Sequence, residues 1–167
     1  GPNLMLGYFR NPAETEAAFT EDGWFKTGDL AWMDEDGYVY IQGRVKTLIV
    51  GPSGENIYPE EIEATIESEP LVEESLVISK GGKLVALVRL NLEVLAERLD
   101  TFVSELDPQT IRNTGTQFLD EIKREVNARL NRFSRLAQMV LQLEEFERTP
   151  TRKIKRFLYQ DDDTAAG

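Results

Sequence analysis

The sequence predicts an α+β fold, in which a short β-sheet flanked by helices is preceded by a β-hairpin segment. Two β-branched, apolar runs over residues 72–79 and 84–92 are separated by Lys80-Gly-Gly-Lys83, which is typical of two strands joined by a tight turn. Further along the chain, apolar residues recur at every fourth position: Phe118, Ile122, Val126 and Leu130. This spacing predicts an amphipathic helix whose stripe faces a core, in preference to a stripe that docks a partner.

The N-terminal segment contains strand and turn signals without a core pattern. We expect a short strand over residues 4–9, a helix that begins at Pro12, and two further strands over residues 24–33 and 38–42. The last two strands flank Asp34-Glu-Asp-Gly37, which is typical of a hairpin turn. Because this ribbon is rich in Trp and Tyr, we expect it to need a partner surface.

The next segment predicts a small α/β layer. A strand over residues 47–50 and the turn Gly51-Pro-Ser-Gly54 lead to a helix over residues 58–67. Pro59 suits the first helical turn, and Pro70 ends the helix.

Two longer helices and a last strand complete the pattern. The helices are predicted over residues 92–106 and 110–130, with a break at Pro108. The final strand, over residues 138–146, is expected to carry a basic tail outward. The acidic terminal residues 161–167 are expected to be disordered.

Composition excludes several kinds of function. At 167 residues and 41% hydrophobic content, the chain can bury one main core. Its net charge of −11 argues against nucleic acid or an anionic membrane as a general partner. The absence of cysteine excludes disulfides and thiol chemistry and fits a cytoplasmic protein, and the absence of histidine removes the commonest general base. No apolar run approaches the roughly 18 residues of a transmembrane segment.

The tripeptide Thr27-Gly-Asp29 is a candidate ribose site. Glycine lets the backbone turn sharply there, and one carboxylate can accept hydrogen bonds from two vicinal ribose hydroxyls. Taken alone, such a tripeptide is more often a turn in which Asp caps its own backbone. The planar guanidinium of Arg44 suits ribose or phosphate oxygens, and the alternative is an exposed Arg near a strand end.

A second set of candidates lies in the loop and helix that follow. The glycines of Gly51–Asn56 would let this loop approach a phosphate or an extended thiol arm closely, although a loop alone is weak evidence. Glu60, Glu61 and Glu63 could indicate paired-carboxylate chemistry or metal binding. We favour a structural interpretation, because acidic residues stabilise the first turn of a helix through its dipole.

The cations are concentrated in one segment near the C-terminal end: Arg148, Arg152, Lys153, Lys155 and Arg156. Taken alone, this cluster is typical of a solvated surface patch. Lys153 is nevertheless the strongest single candidate for catalysis. A cation that reaches both an α-phosphate and a carboxylate would stabilise the charge that develops as the carboxylate attacks the phosphate.

Taken together, three motifs resemble the C-terminal end of the AMP-forming acyl-CoA synthetases, members of the acyl-adenylating superfamily: Thr27-Gly-Asp29, the segment from Gly43 to Glu63, and Thr149-Pro-Thr-Arg-Lys153. The resemblance covers residues 3–160, and the last motif, Thr-Pro-Thr-x-Lys-x-Lys-Arg, is similar to the long-chain fatty acid branch. Arg152 stands where many members have Gly. Nothing in the chain resembles the family's phosphate loop or acyl pocket, so we expect a C-terminal piece of a larger enzyme.

The resemblance implies a domain organisation. Residues 1–43 would be the end of a large N-terminal adenylation domain, and residues 44–46 would be the hinge. Residues 47–160 would form the small, mobile C-terminal lid domain of an adenylate-forming enzyme, followed by the acidic tail. Lys46 occupies the hinge position, where many relatives carry Asp and Lys is also familiar.

The resemblance also implies roles for the candidate residues. Thr27 and Asp29 would bind the ribose of ATP or AMP, and Arg44 would contact the same nucleotide. The segment Ser53-Gly54-Glu55-Asn56 would face the active site in the thioester-forming state, with Ser53, Gly54 and Glu55 on the side of the coenzyme A channel. Gly54 would lie beside the channel for the pantetheine arm of coenzyme A.

Lys153 would be the catalytic residue of the first half-reaction and would swing away for the second. The intact enzyme would convert a fatty acid and ATP, with Mg²⁺ holding the ATP phosphates, to acyl-AMP and pyrophosphate, and would then pass the acyl group to coenzyme A. This chain alone would be inactive, because the acyl pocket, phosphate loop and metal ligand would lie in the missing domain.

Two alternatives stay open at this point. One is an adenylating enzyme that loads a carrier protein instead of coenzyme A, and the other is a non-catalytic interaction module that uses the helical stripe and the acidic surface. For the parent enzyme we expect a cytoplasmic location, with peripheral association with the inner face of a membrane as a further option. The oligomeric state is left open.

Overall fold

The computed structural model describes residues 1–160, which divide into two compact units, Gly1–Lys46 and a second unit that begins at Thr47. Its helices and strands follow in this order: α1 (Pro12–Ala17), β1 (Asp29–Met33), β2 (Val39–Arg44), β3 (Ile49–Val50), β4 (Asn56–Ile57), α2 (Pro59–Glu67), β5 (Val72–Lys80), β6 (Lys83–Leu90), α3 (Leu92–Arg98), α4 (Pro108–Arg129) and β7 (Gln138–Leu141). The predicted α+β class is confirmed. The expected disorder of residues 161–167 lies outside the described residues.

A three-stranded sheet forms the centre of the second unit. β5 and β6 are antiparallel and β7 pairs with β6 in parallel, so β5 is one edge of the sheet. The turn between β5 and β6 places Gly81 and Gly82 at positive φ, 55° and 70°, as a two-residue hairpin loop requires. The hairpin predicted at Lys80–Lys83 is confirmed.

Both faces of this sheet are buried, which explains why its strands are continuous apolar runs rather than alternating ones. On one face, Val77 and Ala86 join side chains from α2, α3 and α4 in the main core. On the other face, Leu76 and Val85 pack with Phe146 in a second, smaller cluster. The sheet is therefore the middle layer of the unit.

The segment after β7 returns across the second face of the sheet instead of extending outward. Ile154 and Tyr159 pack against the cluster that contains Phe146, and the rings of Phe146 and Tyr159 meet edge to face with centroids 5.4 Å apart. The expectation of an outward tail was wrong, because a few apolar side chains anchor this charged segment. β7 itself ends at Leu141, earlier than predicted, since Phe146 leaves the sheet to enter the cluster.

Helix α4 begins at Pro108 rather than at Thr110 because Asp107 caps it. Asp107 Oδ1 accepts hydrogen bonds from the backbone N–H groups of Gln109 at 2.8 Å and Thr110 at 3.1 Å. Hydrogen bonds from the Thr110 side chain and from these backbone groups hold the pKa of Asp107 below its usual value. Proline at the first helical position is compatible with such a start.

The apolar stripe of α4 faces the core, as predicted, but it is centred slightly differently. The buried residues of this helix are Gly115, Leu119, Ile122 and Val126. Phe118 and Leu130 are only half-buried at the margin of the main core. The helix predicted over residues 92–106 ends at Arg98, because Asp100 adopts a left-handed φ of 51° that a helix cannot continue through.

The first unit contains the predicted hairpin. β1 and β2 are antiparallel, and the turn at Asp34–Gly37 is closed by a hydrogen bond from the Asp34 N–H to the Tyr38 carbonyl at 3.0 Å. Trp32 and Tyr40 are register partners whose rings stack with centroids 4.4 Å apart. The strand before the turn starts at Asp29, later than predicted.

No strand forms over residues 4–9, contrary to the prediction. The backbone there bonds locally instead, since the Tyr8 N–H donates to Thr15 Oγ1 at 2.9 Å. Leu6 and Phe9 remain largely exposed. Within the fully described range 1–46, no residue is buried.

A tight turn presents the basic segment near the end of the chain. Arg148 and Ile154 form an isolated antiparallel bridge, and the Thr149 N–H donates to the Lys153 carbonyl at 2.8 Å. The turn closes with Arg152 at φ 64°. That conformation costs a residue with a side chain about 1–2 kcal/mol. Many members of the family that this chain resembles have Gly at the position of Arg152, and glycine adopts this backbone conformation freely.

Replacing Arg152 with Gly should raise the free energy of unfolding by about 1 kcal/mol, because glycine relieves the cost of the left-handed backbone. Urea unfolding of the 167-residue chain, followed by circular dichroism, measures this change. Arg152→Ala is the matched control, since it removes the same charge and keeps the Cβ atom. Equal shifts in the two variants would show that charge, and not the backbone, accounts for the effect.

Candidate active site

Strands β1 and β2 bring Asp29 and Arg44 side by side. The two residues are register partners, and Arg44 Nε lies 2.8 Å from Asp29 Oδ1. A register shift between Leu30 and Ala31 interrupts the ladder next to them, as bulges near functional sites often do. The ion pair orients the carboxylate and leaves it further capacity to accept hydrogen bonds, because a carboxylate offers about four acceptor positions.

The backbone before Asp29 forms a sharp turn. Gly28 has φ 74°, and Thr27 Oγ1 accepts a hydrogen bond from the Asp29 N–H at 3.1 Å. The Thr27 hydroxyl thus supports the turn, while the carboxylate of Asp29 points to Arg44. Among the described residues, the Asp29 side chain makes no hydrogen bond to its own turn, so the self-capping alternative does not describe it.

A cavity of about 450 Å³ lies within the first unit. Its lining includes Thr27, Arg44 and Lys46, together with the rings of Tyr8 and Phe25. The predicted hinge residue therefore lines the same cavity as two predicted nucleotide ligands. In all, a hydroxyl, three cations, two aromatic rings and one carboxylate line the cavity, so its excess of positive charge suits an anionic ligand that carries a planar ring.

The loop Gly51–Asn56 closes on itself. The Gly51 N–H donates to the Glu55 carbonyl at 2.8 Å, and the Ser53 N–H donates to the Glu55 carboxylate at 3.0 Å. The Glu55 side chain covers Gly51 so closely that any Cβ atom there would collide with it. Gly54, at φ 84°, is exposed and has open space beside it. The predicted residues Ser53, Gly54 and Glu55 are thus one compact turn with an accessible glycine.

A second cavity, of about 580 Å³, adjoins this loop within the second unit. Pro52 and Phe133 contribute apolar surface to it, and Lys83 and Arg135 contribute positive charge. The lining, which consists entirely of described residues, contains no acidic side chain. The cavity can therefore hold an anionic ligand with an apolar portion.

Lys153 is held by its backbone and leaves its side chain exposed. Its N–H donates to Thr149 Oγ1 at 3.1 Å, and its carbonyl accepts from the Thr149 N–H. Within residues 1–160, its ammonium group makes no ion pair or hydrogen bond. Lys153 belongs to the second unit, and Asp29 belongs to the first.

Other cations of the basic segment are not a solvated patch. Arg148 pairs with Glu74 on β5, and it also donates to the Arg152 carbonyl at 2.8 Å. Lys155 lies 3.5 Å from a carboxylate oxygen of Glu147. Arg148 therefore anchors the turn to β5, whereas the side chain of Lys153 stays available.

Arg156 is the most buried member of the cluster and forms a bidentate pair with Glu63. Its Nη1 lies 2.8 Å from Glu63 Oε1, and its Nη2 lies 2.5 Å from Glu63 Oε2. At the edge of β5, Arg156 Nη1 donates to the Val77 carbonyl at 3.2 Å, and the Val77 N–H donates to Glu63 Oε1 at 2.6 Å. Helix α2, strand β5 and the basic segment therefore meet at one buried ion pair.

The structural interpretation of the acidic cluster in α2 was right in kind, but the helix dipole is not the main reason for Glu63. Burial raises the pKa of the Glu63 carboxyl, while the hydrogen bonds and positive charge of Arg156 oppose that shift. Glu60 accepts a hydrogen bond from Thr47 Oγ1 at 2.6 Å, and its Oε1 is 3.9 Å from Arg156 Nη2. Glu60 and Glu63 therefore belong to one network around Arg156, and the sequence did not predict this cation as their partner.

The sequence pattern did not predict that Glu63 and Arg156 pair with each other. The sequence around each residue offered a simpler interpretation: Glu63 as an acidic residue near the start of a helix, and Arg156 as part of a basic surface patch. They are 93 positions apart, and no local spacing rule connects them. A buried position for Glu63 was the one available signal, since helical spacing places it on the same side of α2 as Pro59 and Ile66.

Two searches of residues 1–160 gave negative results. No group of three or more acidic, histidine or cysteine side chains there could hold a metal ion. The described residues thus provide no fit for the magnesium ion expected with ATP. None of the described helices is long and apolar enough to cross a membrane.

Comparison with known proteins identifies relatives. The chain is 42% identical over 110 residues to a 2-succinylbenzoate–CoA ligase of Bacillus velezensis, covering 63% of this chain and 22% of that protein. It is 33% identical over 158 residues to probable acyl-activating enzyme 4 of Arabidopsis thaliana, covering 95% of this chain and 26% of that protein. No family model matches the chain. The chain spans about a quarter of the length of these curated relatives.

A solved structure shows the same fold. The O-succinylbenzoate coenzyme A synthetase from Bacillus subtilis, in complex with AMP, superimposes with a TM-score of 0.67 at 30% identity. The match covers 96% of this chain and 29% of that one. The chain is therefore homologous to a part of the acid–CoA ligases and acyl-activating enzymes, and its fold is that of the small C-terminal domain of adenylate-forming enzymes.

Proposed function

We propose that this chain is the C-terminal part of an AMP-forming long-chain fatty acid–CoA ligase. The observation that carries the proposal is Lys153, a cation without a partner among the described residues, on a turn that its neighbours hold in place. Residues 1–43 would complete the large adenylation domain, residues 44–46 would be the hinge, and residues 47–160 would be the mobile lid domain. The homology to acid–CoA ligases supports the reaction class.

In the first half-reaction, a carboxylate oxygen of the fatty acid would attack the α-phosphorus of ATP. A new acyl oxygen–phosphorus bond forms, and the bond from the α-phosphorus to the bridging oxygen breaks, so that pyrophosphate leaves with the electron pair. Negative charge increases on the α-phosphate oxygens as this happens. The ammonium group of Lys153 would bind an α-phosphate oxygen and the attacking carboxylate, which stabilises that charge and orients the attack.

Thr27, Asp29 and Arg44 would hold the nucleoside part of the same substrate. The Asp29 carboxylate, which Arg44 orients at 2.8 Å, would accept hydrogen bonds from the two ribose hydroxyls. Thr27 supports the turn from which Asp29 projects. The magnesium ion that accompanies ATP would be held by groups outside the described residues.

In the second half-reaction, the thiol of coenzyme A would attack the acyl carbonyl and displace AMP, with loss of the thiol proton. Rotation at Lys46 would remove Lys153 and bring Ser53, Gly54 and Glu55 toward the reacting groups. The exposed Gly54 would let the pantetheine arm pass close to the backbone. The adjoining cavity, with two cations and no acid in its lining, suits a co-substrate that has phosphates and an apolar arm.

The surface of the first unit supports the view that it completes a larger domain. Trp24, Trp32 and Ile41 are between half and three quarters exposed, and no residue of the range 1–46 is buried. A ribbon of this size cannot bury enough apolar surface by itself. A large domain that packs against the ribbon would supply the missing core.

The 167-residue chain alone should form no acyl-CoA from ATP, coenzyme A and fatty acids, because the acyl pocket and phosphate loop are not recognisable in it. A thioester assay on the purified chain tests this expectation. A full-length 2-succinylbenzoate–CoA ligase with its own acid serves as the positive control. Acyl-CoA production by the isolated chain would overturn this part of the proposal.

In the longer enzyme, Lys153→Ala should lower the rate of ATP–pyrophosphate exchange by about a hundredfold or more, because the mutation removes a transition-state cation. Formation of acyl-CoA from supplied acyl-AMP should change by less than about threefold, since this step would not use Lys153. Lys155→Ala on the same segment is the matched control and should behave like the wild type. Exchange that is unchanged in Lys153→Ala would remove Lys153 from the mechanism.

Among acids of graded size, long-chain fatty acids should give the fastest exchange, because the final basic motif is similar to the long-chain branch. The panel should include short and medium fatty acids, and 2-succinylbenzoate as a competing aromatic acid. A clear preference for 2-succinylbenzoate would keep the ligase class and reject the fatty acid substrate.

The parent enzyme would act in the cytoplasm, free or peripherally bound to the inner face of a membrane.

A further inference from the structure

We propose that Arg156 and Glu63 are positioning residues for Lys153 in acyl-AMP formation. This inference rests on the proposed role of Lys153 and adds to it a reason why its ammonium group reaches the correct place. The carrying observation is that a largely buried, bidentate ion pair attaches the turn with Lys153 to α2 and the sheet, beside the more exposed pair of Arg148 with Glu74.

The turn itself is a small, internally bonded unit. The Thr149 N–H donates to the Lys153 carbonyl at 2.8 Å, and the Lys155 N–H donates to the Glu147 carbonyl at 2.8 Å. Arg148 closes the same turn by donating to the Arg152 carbonyl at 2.8 Å. Such a turn can move as one body without losing its own hydrogen bonds. Its orientation therefore depends on what joins it to the rest of the unit.

Arg156 makes the best-defined polar attachment. Its guanidinium bonds both oxygens of Glu63 and also the backbone carbonyl of Val77, so three hydrogen bonds fix its position and its plane. The Arg156 side chain is 19% exposed and the Glu63 side chain 11%. Lys155 and Glu147, on the same segment, are 33% and 67% exposed and lie 3.5 Å apart. An exposed pair of that kind constrains geometry weakly.

Arg156 is close enough in sequence to control Lys153. The two residues are separated by three backbone steps, which span at most about 10 Å of extended chain. Ile154 lies between them and packs against the small cluster on the sheet. Loss of the ion pair would leave Ile154 and the more exposed Arg148–Glu74 pair as the remaining anchors and would allow the turn to tilt. A displacement of about 1 Å at a reacting group can cost a factor of about a hundred in rate.

The network also predicts that an apolar residue in place of Glu63 would be destabilising. Glu63 accepts the Val77 N–H at 2.6 Å while it binds Arg156, so it joins the edge strand and the turn at the same time. Removal of Arg156 would leave the buried Glu63 carboxylate without its partner, which is strongly unfavourable. The position of the turn is thus tied to the sheet, and through it to the core.

The test uses the longer enzyme and measures the two half-reactions separately. Arg156→Ala should lower kcat for ATP–pyrophosphate exchange by about tenfold to a hundredfold. The KM for ATP and the rate of acyl-CoA formation from supplied acyl-AMP should each change by less than about threefold. Lys155→Ala is the control for loss of a neighbouring cation. Arg156→Lys should recover little of the rate, because Lys keeps the charge and lacks the bidentate fork.

A double-mutant cycle decides whether Arg156 acts through Lys153. In a Lys153→Ala background, Arg156→Ala should cause no further loss of exchange, because there is no ammonium group left to position. If Arg156→Ala does not fold, as judged by circular dichroism, Glu63→Gln provides the same test. This variant keeps the shape and the acceptor for Val77 and removes the ionic pairing. Its loss of exchange should likewise vanish in the Lys153→Ala background.

The possible failures are distinguishable. If Lys153→Ala leaves exchange unchanged, the proposed function of Lys153 fails and the positioning role fails with it. If Lys153→Ala abolishes exchange but Arg156→Ala and Glu63→Gln do not slow it, only the positioning proposal is overturned. Additive losses in the double mutant, or equal losses in both half-reactions, would assign the pair to stability alone.

Discussion

The largely buried ion pair of Glu63 with Arg156 joins helix α2 to the basic segment that contains Lys153. The proposed chemistry of the second unit depends on this connection. Glu63 comes from the helix that follows the glycine loop, Arg156 from the last described segment, and both bond the backbone of β5 at Val77. The partners depend on each other because a single buried charge is costly, whereas a pair with further hydrogen bonds is tolerated. The beginning and end of the unit are therefore held at one point.

The two units achieve order in different ways. In the second unit, the sheet is covered by helices on one face and by the returning segment with Phe146 and Ile154 on the other. The returning segment buries only a small apolar cluster, and ion pairs of Arg148 with Glu74 and of Arg156 with Glu63 add to its attachment. The first unit has a stacked Trp32–Tyr40 pair but no buried residue, so its ordered ribbon lacks a core of its own.

Local rules predicted the local structure well. The glycines at Gly81 and Gly82 marked the β5–β6 hairpin, and apolar spacing identified Ile122 and Val126 as core residues of α4. The Thr27–Asp29 turn was also recognisable, because its backbone conformation depends on adjacent residues. The return of the last segment and the Glu63–Arg156 pair were not predictable, since both depend on contacts between distant parts of the chain. The strand predicted over residues 4–9 does not form, because a strand needs a neighbouring strand to pair with and apolar content alone does not provide one.

The carboxylates of α2 have a consequence for self-association. β5 is an edge strand, and an exposed edge offers unpaired N–H groups to which another chain can add a strand. Here the Ser75 N–H is occupied by Glu67 and the Val77 N–H by Glu63, one helical turn apart on α2. Arg156 occupies the Val77 carbonyl on the same side. Side chains thus take the place of a fourth strand, and they protect this edge from intermolecular sheet formation.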